Sequence, residues 1–70
     1  MHPIEEIQLR AERAQALVDA GQIADALDEA RGMRAFIEGH PADDVLVQSR
    51  LSAVERFIAA LEAKQAGDAG

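Results

Sequence analysis

Cysteine, tryptophan and tyrosine are all missing from this chain, and only two of its 70 residues are aromatic. Without thiols there is neither a disulfide framework nor a thiolate metal site to compensate for small size. Size matters because a domain of about 60 residues buries only about 60% of the surface that its unfolded chain exposes. Basic residues are also scarce. Seven stand against thirteen acidic ones, the net charge is -6, and no run of Lys or Arg occurs. Such a chain is repelled at long range by a phosphate backbone or an anionic bilayer, so neither direct nucleic-acid binding nor membrane binding is expected. No segment approaches the roughly 18 apolar residues of a membrane span, and MHPIEEIQLR lacks the basic-then-apolar order of a secretory leader. A cytoplasmic location is the resulting expectation.

What the chain does contain points to helices. Apolar residues make up 49% of it, fifteen of them alanine, far more than a disordered chain carries. Alanine loses no side-chain entropy in a helix, whereas a sheet needs clusters of Val, Ile, Thr and aromatics that are absent. Pro3 suits a first helical turn, and Glu5 and Glu6 lie near the positive end of the helix dipole. Ile4, Ile7, Ala11, Ala14, Leu17 and Val18 then recur at three- and four-residue steps, with Glu6, Arg10 and Arg13 assigned to the other side. Glu6 and Arg10 also have the favourable i,i+4 order.

Gly21 divides the reading. It either ends the first helix in a left-handed conformation or sits inside a longer one at a cost of about 1 kcal/mol relative to alanine. Beyond it, Ile23, Ala24, Leu27, Ala30, Met33, Phe36 and Ile37 continue an apolar stripe, with Gly32 within it for close packing. Gly39-His40-Pro41-Ala42 is the firmest stop, and Asp43 and Asp44 suit the cap or first turn of the next helix. There Val47, Leu51, Val54, Ile58 and Leu61 advance in alternating steps of four and three, widened by Leu46, Phe57 and Ala60. The expected domain covers residues 1–65, with helices over about 4–20, 22–38 and 43–64, and residues 66–70 form a disordered tail.

A short connection forces the segments on either side of His40 to run antiparallel. The expected fold is therefore all-α: an antiparallel helical hairpin, or a small three-helix unit if the chain breaks at Gly21. The last segment carries more apolar width than the rest can cover, so dimerisation is expected to complete the bundle. Met33, Phe36, Ile37, Leu46, Val47, Leu51, Val54, Phe57, Ile58 and Leu61 are the candidate core and interface residues.

Chemistry has little to build on. His40, Asp43 and Asp44 form the one close grouping of imidazole and carboxylates, but HxxDD matches no strong metal or acid–base motif and suits capping better. His2 reads as a solvated residue. Ser49 and Ser52 have no histidine in local register, and no glycine-rich loop precedes a lysine. Catalytic, cofactor and metal sites are therefore expected to be absent. Arg31 and Arg34, with Arg50 and Arg56 on the antiparallel segment, form at most a modest basic strip, for which Glu29, Glu38 and Glu55 are the expected neutralising partners.

Two stretches carry family likenesses. Leu17 to Leu27, with Gly21 and the pair Ala26-Leu27, followed by Ile37 and Pro41, resembles the helix-turn-helix of a tetratricopeptide repeat. It lacks that repeat's first-helix aromatics, and Pro41 arrives about three residues late. The likeness implies a turn near Gly21 and a binding role. Arg31 to Leu61 is similar to the small helical-hairpin co-chaperones of bacterial type III secretion, which implies pairing with a repeat-containing chaperone. The function expected from all of this is a non-enzymatic protein-interaction module, a homodimer or part of a heteromeric complex, serving as adaptor, co-chaperone or regulatory subunit. A small acidic regulator of a nucleic-acid-binding protein is the alternative.

Overall fold

The computed structural model describes residues 2–69 and is all-helical, with three main helices and no strand among them. Helix α1 spans Pro3–Asp19 and α2 spans Ile23–Glu38; a single turn, α3, covers Val45–Gln48; α4 runs over Leu51–Ala69. His2 starts α1: its Nδ1 accepts the Ile4 N–H at 3.1 Å, with Pro3 in the first turn. The histidine expected to be merely solvated is thus exposed and a helix cap.

Gly21 is the break. Its φ is +80°, and no other described residue has a positive φ. The Gln22 N–H donates to the Leu17 carbonyl at 2.8 Å and the Gly21 N–H to that of Val18 at 3.0 Å. This paired closure requires a left-handed residue, and glycine adopts that conformation without a Cβ penalty. Of the two topologies left open by the sequence, the three-helix unit is the one formed.

The second connection is built differently. Gly39 caps α2 at φ -75°, an ordinary right-handed conformation. Here the loop is held by a side chain instead: the Gln48 amide Nε2 donates to the carbonyls of His40 at 3.1 Å, Ile37 at 3.2 Å and Pro41 at 3.4 Å. His40 packs its ring 4.6 Å from that of Phe36 and places Nδ1 2.7 Å from the Phe36 carbonyl oxygen.

The helix expected over 43–64 is two pieces. Asp44 Oδ1 accepts the Val47 N–H and so caps α3, while Ser49 Oγ donates to the Leu46 carbonyl at 2.7 Å and the chain turns at Ser49-Arg50. A serine bonding back to a nearby carbonyl competes with regular helix, which no apolar period reveals. At the far end α4 continues past 64 to Ala69, across most of the stretch expected to be a disordered tail; Gly70 lies outside the described residues. Alanines and the absence of proline favour its continuation, and Gly67 is carried inside the helix at about 1 kcal/mol relative to alanine.

Helix α2 is the centre, packed against α1 on one side and α4 on the other, with α3 across the end. Ala14, Ala26, Ala30, Ile37 and Val47 are completely buried, and Ile37 and Val47 are the largest side chains so enclosed. Such a thin core matches the shape. The molecule measures 41 × 19 × 14 Å with a radius of gyration of 12.5 Å, against about 11 Å for a compact globule of this length.

Candidate functional site

Because α1 and α4 both pack on α2 and scarcely on each other, they leave a groove between them. Its walls are Ile4, Ile7 and Ala11 from α1 and Ala53, Val54 and Phe57 from α4, with Met33 of α2 as the floor. Gln8, Gln15 and Arg50 complete the lining, and the volume is about 460 Å³. The polar groups here are two amides and one guanidinium. They include no acid–base pair and no nucleophile with an adjacent base, and the rest of the lining is apolar.

The residues singled out from the sequence fall into three groups. Met33, Ile37, Val47, Val54, Ile58 and Leu61 are buried and belong to the core. Phe36, Leu51 and Phe57 pack against that core while remaining partly open to solvent. Leu46 is 64% exposed, beside Val45 at 73%. These two point away because α3 turns its other side, Val47, into the core. The break at Ser49 therefore separates Leu46 from the stripe it shares in sequence.

Gly32 and Arg10 show a contact that apolar periodicity does not predict. Arg10 lies in the α1–α2 seam rather than on the solvent side: its Nε is 3.1 Å from Glu6 Oε1, Nη1 is 3.8 Å from Glu29 Oε1, and its guanidinium carbon sits 5.6 Å from the Phe36 ring centroid. A Cβ built on Gly32 would meet Arg10 Nη1 at 3.7 Å, an ordinary contact, so the close packing expected at this position does not require a glycine. Glu29 Oε1 is buried without a hydrogen bond, and at 3.8 Å the arginine compensates it by charge alone. The only sequence signal for this clamp was the Glu6, Arg10 spacing.

Two of the four arginines of the basic strip are paired. Arg31 meets Glu62 at 3.4 Å and Arg34 meets Glu38 at 3.7 Å. Of the expected neutralising acids only Glu38 acts so, since Glu29 is engaged by Arg10. Asp44 is committed to capping, Ser49 to the α3 backbone and His40 to the loop. Among the described residues no three His, Cys, Asp or Glu side chains are placed to hold a metal ion, and no helix is long and apolar enough to cross a membrane. Comparison of the chain with protein-family models, curated proteins and solved structures finds no match.

Proposed function

We propose that this chain is a small protein-interaction module that self-associates through its amphipathic helices and serves as an adaptor, co-chaperone or regulatory subunit without catalytic chemistry of its own. The observation that carries this reading is the open α1/α4 groove, where Ala11 is exposed and Ile4 and Phe57 are only partly covered beside the core residues Ile7, Met33 and Val54. Fully covering a large apolar side chain contributes about 1.5–3 kcal/mol, and among the described residues no other helix lies over the groove. Sedimentation of the purified chain over a wide concentration range tests the reading. Reversible association is expected; a single monomeric species up to millimolar concentration contradicts self-association.

A net charge of -6 favours a second reading, an acidic regulator that binds a basic partner such as a nucleic-acid-binding protein. That role calls for a monomer whose binding weakens steeply with salt. The co-chaperone role calls for a one-to-one complex with a repeat-containing chaperone in place of a homodimer. Stoichiometry separates the three.

A further inference from the structure

The two lips of the groove carry opposite charge. On α1, Gln8 and Gln15 line it, and the three- and four-residue steps that join them continue through Glu5, Glu12 and Asp19, all exposed. Gln15 Nε2 donates to Asp19 Oδ1 at 3.0 Å, so these positions share one ridge. The bases of α1 lie elsewhere, Arg10 in the α2 seam and Arg13 off this ridge. The matching ridge starts at Arg50, just before α4, and runs through Ala53, Phe57, Ala60 and Lys64 of that helix, and the charges among these five residues are basic. Two acids of α4 are turned away, since Glu62 faces Arg31 of α2 and Glu55 lines a shallow hollow on the opposite side with Leu51; the third, Asp68, lies outside the described side chains. Neither Glu5, Glu12 nor Arg50 has an ion-pair partner among the described side chains.

We infer that the occupant of the groove is a second copy of this chain, docked face to face about a two-fold axis parallel to the helices; this rests on the self-association reading and specifies its surface. An axis in that direction lays α1 of each copy along α4 of the other, acidic ridge on basic ridge, twice over. An axis across the helices would lay α1 on α1 and α4 on α4, like charge on like. The half-buried Phe57 rings and the exposed Ala11 and Ala53 then form the dry centre of a six-helix bundle. Small residues at those positions let the helices approach closely. The lip of α1 from Glu5 to Asp19 is about 21 Å long at 1.5 Å per residue.

Charge reversal tests this arrangement on exposed residues that the fold does not need. One variant carries Glu5→Lys and Glu12→Lys, so both of its lips are basic; the other carries Arg50→Glu and Lys64→Glu, so both are acidic. Each alone is expected to dissociate at low salt, with the dimer dissociation constant raised on the order of tenfold or more. An equimolar mixture is expected to re-form a dimer containing one of each, resolved by native mass spectrometry, while circular dichroism stays unchanged throughout. If the unaltered chain is monomeric at every concentration, both the self-association reading and this inference fall. If it dimerises but both variants dimerise equally well alone, only the docking surface is overturned, and the exposed Val45-Leu46 turn takes its place. A variant that loses helicity removes charge as the explanation, and Phe57→Ser then decides: retained dimerisation overturns the groove.

Discussion

The two seams of this molecule are held by different means. Between α1 and α2 the contacts mix the wholly buried Ala14 and Ala26 with the buried Ile7 and the partly buried Leu17 and Val18, together with the Arg10 clamp on Glu29 and Phe36. Between α2 and α4 they are branched and long aliphatics: Ile37, Val54, Ile58 and Leu61. The connections differ in the same way, one made by the backbone of a single glycine and the other by one glutamine amide reaching three carbonyls. Small buried residues gain little from burial per side chain but tolerate no added volume, whereas large aliphatics gain much and lose it when truncated. Equal numbers of apolar residues therefore do not mean equal strength.

The largest effect is expected where the aliphatic seam is cut. Ile58→Ala removes a side chain that is 4% exposed and costs about 2–5 kcal/mol. A chain of this length has a total stability of roughly 4–10 kcal/mol, so urea titration should find the variant largely unfolded or close to it. A midpoint shifted by less than the equivalent of about 1 kcal/mol would mean that α4 is not anchored as described. At the small buried positions of the α1–α2 seam the damage comes from addition. Ala14 is wholly buried, and Ala14→Leu is expected to cost about 1–3 kcal/mol by forcing α1 away from α2. A neutral or stabilising result would show that this seam has slack.

The connections give the smaller and sharper contrast. Gly21→Ala places a Cβ on a residue at φ +80° and should cost about 1–2 kcal/mol, although nothing lies within 4 Å of the added atom. Gly39→Ala adds the same atom at φ -75°, 3.4 Å from the Ala35 carbonyl oxygen, and should leave the melting temperature unchanged or raise stability by up to about 0.5 kcal/mol. If thermal melts show the two alanine variants to be equivalent, the difference between the connections is not conformational.

Much of this was legible in the order of residues. The all-helical fold, the stop at Gly39-Pro41 and the apolar phase of Val47, Val54, Ile58 and Leu61 come from period and propensity alone. Gly21 was recognisable as a candidate hinge, but its conformation was not, because a glycine signals permission rather than use. Leu46, one of the candidate core and interface residues, lies at the surface because the chain turns at Ser49-Arg50 without disturbing the apolar pattern. Gln48 carried no signal at all: its role depends on three carbonyls that come together only when the loop closes. The groove was equally hidden. Its residues belong to three helices, and the heptad spacing of Glu5, Glu12 and Asp19 gains meaning only once α1 stands beside α4.

Local chemistry thus determined which segments are helical, where two of them must stop and which side of each is apolar, since those properties depend on neighbours within one or two turns. Tertiary structure decided which pairs of helices touch, that Arg10 turns inward, and that α1 and α4 remain apart across an open groove. Those outcomes depend on side-chain volumes meeting across distant parts of the chain, and no window along the sequence contains both sides of such a contact.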